Sequence, residues 1–255
     1  MATCKLEGEI VLSTAVVVGT FGGFTITMPA GRYFLNTIGS GGATRSFCDE
    51  LEFQMESSMG AGSSSVTIDD NTDSSNGVVE ISRSSAFDIV WSSTTIRDLL
   101  AFTGDRASSA THTTTGVQAQ YLYLPNCGRS GIMAPEASDG AIEADYTLSM
   151  GTDGTPYAIS YSKRYKDSLE FRTLKGSKTW TSKVSITNAA LERFYGDVIS
   201  KGLRLRFHAD RSSDSTFRTW VVEDGGSFEP KPVREDWSDG SESLWGIRWV
   251  VRKTT

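Results

Sequence analysis

The oxygen-rich stretch DDNTDSSNGVVE places Asp69, Asn71, Asp73, Ser75, Gly77 and Glu80 at positions 1, 3, 5, 7, 9 and 12 of a loop. A hard cation such as Ca2+ takes roughly six to eight oxygen ligands, and a carboxylate closing a twelve-residue loop is what that chemistry asks for. Three features oppose it. Ser74 stands where the sharp turn wants Gly, Asn76 where an apolar residue belongs, and the flanks SVTI and GVVEIS read as strands rather than helices. A polar turn between two strands is the preferred reading, with Asp69, Asn71, Asp73 and Glu80 kept as the cation candidate. Other chemistry is sparser. Ser160 and Lys163 match SxxK on an extended segment, without the helix that motif needs. The two histidines, His112 in a Thr-rich loop and His208 ending a basic strand, have no metal-ligand spacing and read as solvated or strand-edge residues. GSGGATRSF (39–47) lacks both GxGxxG and a Walker lysine. Trp220, Trp237, Trp245 and Trp249 could line a sugar groove, but tryptophans on alternating strands are better read as core. No catalytic residue, cofactor or enzymatic activity is expected.

The cations pose a different question. Lys201, Arg204, Arg206, Arg211 and Arg218 surround the stretch LRLRFHA in a chain of net charge −6. Residues 1–150 hold 7 Lys and Arg against 17 Asp and Glu, whereas residues 151–255 hold 18 against 14. The overall acidity argues against sequence-specific nucleic acid as the partner. Opposite-signed halves suit head-to-tail association of identical subunits, so these five cations are expected at a subunit interface. Acidic stretches at 49–56 or 69–73 would meet them.

The elements that position these groups follow from periodicity. IVLSTAVVV (10–18) reads as a strand, and FTITM and RYFLN as a hairpin turning at PAG. In TRSFCDELEFQMESSM the residues Phe47, Leu51, Met55 and Met59 recur every four positions, which predicts a helix capped by Thr44 or Ser46 and stopped at Gly60. SVTI, GVVEIS and AFDIVW predict three short strands, and SSTTIRDLLAFTGD a short helix closing at Gly104. RASSATHTTTG reads as a loop and GVQAQYLYL as a strand. PNCGRSGIMAPEASDGA, dense in Gly, Pro and Ser, marks a boundary. The expected organisation is an acidic α+β domain (1–125), a linker (126–142) and a β-rich domain with one helix (143–255). In the latter, strands are expected near 143–150, 156–162, 168–174 and 178–185, then a helix over 187–200 stopped by Gly202, then strands at 203–209, 216–222 and 243–251. The fold class is β-rich α+β, with antiparallel sandwich or barrel units that each pack a helix.

Cys4, Cys48 and Cys127 are an odd, widely spaced set, as expected of reduced thiols in a protein made in a cytoplasm. Glu7 and Glu9 precede the first apolar run where a secretion signal carries basic charge, so secretion is not expected. No apolar run reaches the roughly 20 residues of a membrane span.

In layout, the strands leading into LKGSKTWTSKVSI, the helix AALERFYGDVISKG, LRLRFHADRSSDSTFRTWVV and the closing LWGIRWVVRK resemble structural proteins of tailed-bacteriophage tails. GRYFLNT, GVVEIS, FDIVW and TIRDLLAFTGD are similar to a layout of phage virion proteins. The resemblance implies a ring-forming subunit of tail-tube, tail-terminator or distal-tail type. It would assemble with copies of itself and with other virion tail proteins, be made in the host cytoplasm and reside in the virion. The alternatives are a carbohydrate- or receptor-binding module of such a particle, or a capsid or decoration protein.

Overall fold

The computed structural model describes residues 4–36, 45–60, 63–69, 78–114, 120–124, 141–150, 156–174, 192–208, 217–222, 231–234 and 244–253. The first strands explain the architecture. β1 (Cys4–Leu12) and β2 (Val16–Phe21) are separated by a corner at 13–15, and β3 (Phe24–Met28) and β4 (Gly31–Phe34) by a corner at Pro29. β2 pairs with β3, while β4 pairs with β1, with Ile10 opposite Tyr33. FTITM and RYFLN are therefore not a hairpin with each other. They form one side of a longer hairpin that folds across two sheets. Its tip is Gly22–Gly23, whose positive φ angles (54° and 85°) suit the left-handed turn that follows strand twist. Pro29 supplies no N–H to a ladder, and its carbonyl instead accepts the Tyr33 hydroxyl at 3.0 Å.

The smaller sheet runs β3-β2-β6-β5, with β7 also paired to β6. GVVEIS and AFDIVW are one 14-residue strand, β6 (Val78–Trp91), hairpinned to β5 (Ser65–Asp69). RASSATHT is strand β7 (Arg106–Thr113), not a loop. The physical reason is pairing: its polar side chains hide the period, but its backbone completes the ladder of β6. α2 (Thr94–Leu99) is capped by Ser93 and ends at Leu100, before Gly104, with Ala101 taking a φ of 60°.

α1 (Phe47–Met59) lays Phe47, Cys48, Leu51 and Met55 into a core shared with Ile26, Val66, Ile81 and Ile89 of the small sheet and with Ile10 and Tyr33 of β1 and β4. Ser46 is the N-cap: its hydroxyl accepts the Asp49 N–H at 3.0 Å, and the Asp49 carboxylate accepts the Ser46 N–H at 3.2 Å. Ser46→Ala is expected to cost about 1 kcal/mol, read as a lower urea midpoint, while Ser46→Asp keeps most of it. Cys48 is a free thiol, and its burial pushes its pKa far up.

The larger sheet runs β4-β1-β11-β12-β14-β10-β9, with β8 (Tyr121–Leu124) on β1 and β13 (Lys231–Arg234) on β14. β9 (Ala141–Met150), β10 (Pro156–Leu174), β11 (Leu205–His208), β12 (Arg218–Val222) and β14 (Leu244–Lys253) complete it. The segments expected at 156–162 and 168–174 are the single strand β10. The strand expected at 178–185 and most of the linker lie outside the described residues. Strands from both sides of that linker share this sheet through the β1–β11 ladder, where Lys5 faces His208 and Glu7 faces Arg206.

Candidate functional site

β1 reads Lys5, Leu6, Glu7, Gly8, Glu9, Ile10, so its odd positions are charged and its even ones apolar or glycine. Leu203, Arg204, Leu205, Arg206, Phe207 and His208 alternate in the same way. Successive strand residues point to opposite faces. The register therefore puts Leu6, Leu205, Phe207 and Trp220 on one face of the sheet and the charged residues on the other.

The apolar face receives a short helix over 192–199 whose last part is a π-helix, Tyr195–Ile199. Ser200 N–H donates to the Tyr195 carbonyl at 2.8 Å, five residues back. Phe194, Val198 and Ile199 are buried, and Val198 sits on Gly8, where no side chain intervenes. Phe207 and Trp220 stack with ring centroids 5.3 Å apart.

The charged face is buried as well. Lys5, Glu7, Glu9, Arg206 and His208 are all at 0% exposure. Charged side chains are rarely buried unless paired, because desolvating an ion costs several kcal/mol. Here they are paired. Glu9 accepts Arg32 Nε at 2.9 Å and Nη2 at 2.7 Å, and on its other side Arg204 Nε at 2.9 Å and the Arg204 backbone N–H at 3.2 Å. Burial alone would raise the Glu9 pKa, but the hydrogen bonds from Arg32 and Arg204 outweigh it and hold the carboxyl below its ordinary value. The same contact raises Arg32. Glu7 accepts the Asn36 N–H at 3.0 Å, and its second oxygen lies 2.9 Å from His208 Nε2. The Arg206 guanidinium lies between the rings of Phe34 (3.9 Å) and Phe217 (4.0 Å). Burial lowers its pKa to about 10, which leaves it cationic at neutral pH.

A cleft of about 580 Å3 opens where the end of β1 meets α2 and the π-helix. Ile10, Leu12 and Leu99 form its floor, and Asp98, Arg193, Asp197 and Lys201 its rim. Lys201, 57% exposed, reaches Asp197 at 3.5 Å. Asp98 is held by Arg97 at 2.8 Å.

The chain matches no protein-family model, no curated protein and no solved structure. Its own geometry therefore carries the reading of each residue singled out in the sequence.

The basic strand does not face outward. Arg206 has no exposed surface to offer a neighbouring subunit, and Arg204 is engaged by Glu9. Lys201 is at the surface, Arg218 stands in β12 opposite Phe207, and Arg211 lies outside the described residues. Asp69 pairs with Val78 and Glu80 with Thr67, so the ends of the oxygen-rich stretch form a hairpin, while Asn71 and Asp73 lie outside the described residues. His112 is buried, with Nε2 2.9 Å from the Phe87 carbonyl and its ring edge-on to Phe87. The solvated reading of both histidines is thus corrected. Trp220 is core. What sequence reasoning missed is the acceptor of the basic strand. The signal was present as two charge-alternating segments of complementary sign, KLEGE and RLRFH, about 200 positions apart.

Proposed function

We propose that this chain is a structural subunit of a tailed-bacteriophage tail, forming a ring or adaptor through contacts with its own copies and with other tail proteins. The exposed apolar residues of the smaller sheet carry this reading. Val17 on β2 and Val90 on β6 are 45% and 46% exposed, each next in its strand to a buried residue, Val18 and Ile89. The sheet's inner face is already filled by α1, so these side chains belong to its outer side. Apolar groups exposed on that side favour a protein contact. With Arg204 and Arg206 turned inward, the contact shifts from the basic strand to this sheet. The uneven charge of the two halves then orients neighbours rather than holding them. Among the described residues no helix is long and apolar enough to cross a membrane. The proposal assigns no catalytic step, and places the protein in the virion after synthesis in the host cytoplasm.

Light scattering of the purified chain at low and high salt tests it. The expected result is a mass that is a multiple of 27.7 kDa. It should persist at high salt if apolar contact dominates, and return to the monomer value in the double variant Val17→Lys, Val90→Lys. A monomer at every concentration and salt would remove self-assembly as a property of this chain.

A further inference from the structure

Two surfaces of the chain stand open and complement each other. The first is the outer side of α1. Phe53 is 43% exposed there, with the Arg45 guanidinium over its ring at 3.8 Å. Glu56 follows three residues later, which makes the two side chains neighbours on the helix surface. The other acids of α1 are engaged within the chain. Asp49 accepts the Ser46 N–H, Glu50 meets Arg45 at 3.3 Å, and Glu52 accepts the Val66 N–H at 3.0 Å. No basic residue stands in the last turn of α1, and Arg83 donates to the carbonyls of Met59 and Gly60 rather than to Glu56. Among the described residues the Glu56 carboxylate has no hydrogen bond or ion pair. The second surface is the cleft where the end of β1 meets α2 and the π-helix. Of its rim charges, Asp98 is held by Arg97 and Asp197 by Lys201. That leaves Arg193, which is exposed and has no hydrogen bond or ion pair among the described residues. One uncompensated cation above an apolar floor selects an anionic group carried beside an apolar one.

We propose that the Phe53–Glu56 face of α1 in one copy seats in this cleft of the next copy, with the phenyl ring on Ile10, Leu12 and Leu99 and Glu56 paired with Arg193. The inference rests on the self-assembly proposed above, and names a contact other than the outer side of the smaller sheet. Charge complementarity chooses a second copy as the occupant: α1 lies in the acidic half of the sequence, Arg193 and Lys201 in the basic half. The two surfaces share no residue, so each chain offers both at once. Such a contact is heterologous, propagates head to tail and can close a ring. The symmetric alternatives are disfavoured, because α1 against α1 sets Glu56 beside Glu56, and cleft against cleft sets Arg193 beside Arg193. The aromatic ring, desolvated in a pocket, is the kind of anchor that carries binding energy, while the charge pair fixes orientation. The cleft, about 580 Å3, lies within the roughly 300–1,000 Å3 of pockets that enclose a bound group.

Charge reversal on the full-length chain, read by sedimentation velocity over a concentration series, tests the contact. Glu56→Arg and Arg193→Glu each set like charges face to face, and each alone should raise the concentration of half-assembly by at least about tenfold. An equimolar mixture of the two variants should recover to within about threefold of the unsubstituted chain, because every α1 then finds a cleft of opposite charge. Phe53→Ala should weaken assembly by at least about tenfold at low and high salt, whereas the effect of the reversals shrinks as salt rises. All three positions are at the surface, so the fold itself is not at stake. Assembly of the unsubstituted chain that neither reversal nor Phe53→Ala weakens would overturn this contact and leave the sheet face as the interface. Reversals that weaken assembly without recovery in the mixture would overturn the pairing of Glu56 with Arg193. A monomer before any substitution removes the contact together with the self-assembly on which it rests.

Discussion

Glu9→Gln is expected to lower the unfolding free energy by about 3–5 kcal/mol, the range for breaking a buried ion pair from one side. A glutamine offers one acceptor where the carboxylate takes hydrogen bonds from Arg32 and Arg204 on both oxygens. Its amide N–H groups would face a guanidinium. Arg32 is half exposed and can turn to water, so its share is small. Arg204, 17% exposed, cannot turn away as freely, and most of the loss comes from its stranded charge. The acid dependence follows from the lowered Glu9 pKa. A carboxyl whose folded pKa lies below its unfolded one contributes its full stability above the unfolded value of roughly 4.3, and loses it as pH falls through the folded value. The gap between wild type and Glu9→Gln should therefore be constant near neutrality and shrink below pH ~4. Urea denaturation across pH measures it, and a gap under about 1 kcal/mol at pH 7 would contradict the paired-charge account.

Gly8→Ala is expected to destabilise by about 1–3 kcal/mol or more, through overpacking on the opposite face of the same strand. A methyl at Gly8 would lie 2.2 Å from Val198 Cγ2, 3.0 Å from Cγ1 and 3.1 Å from Cβ. A β-branched side chain has little rotamer freedom with which to yield, so the π-helix itself would have to move. Combining Gly8→Ala with Val198→Ala should restore part of the loss, a non-additivity that identifies the contact. Thermal melts detect it at about 2–4 °C per kcal/mol for a chain near this size. Additive losses in the double variant would mean that Val198 is not what the methyl meets.

Both substitutions fall on KLEGE, a segment whose role the sequence only half reveals. Its alternation is visible, and so is the alternation of RLRFH. Local patterns of this kind also made α1 legible: Phe47, Leu51 and Met55 recur at helical spacing, and all are buried. The β-rich character followed from the same source, since strand and helix periods are properties of neighbouring residues. Edges and corners were less legible. RASSATHT carries no apolar period because β7 is exposed along most of its length, and only pairing with β6 makes it a strand. The corners at 13–15 and Pro29 look like ordinary turns, yet they send each strand into a different sheet.

The sequence by itself determined the class of the fold, the buried face of α1, a cap at Thr44 or Ser46, of which the structure chose Ser46, and the presence of a concentrated set of cations. Only the tertiary structure decided where those cations point. Glu7 and Glu9 lie about 200 residues from Arg204, Arg206 and His208, and nothing local distinguishes a strand with one face in water from a strand whose charged face meets another charged face. Pairing in register across that distance placed opposite charges side by side, because a buried arginine is tolerated only where an acceptor or an aromatic face receives it.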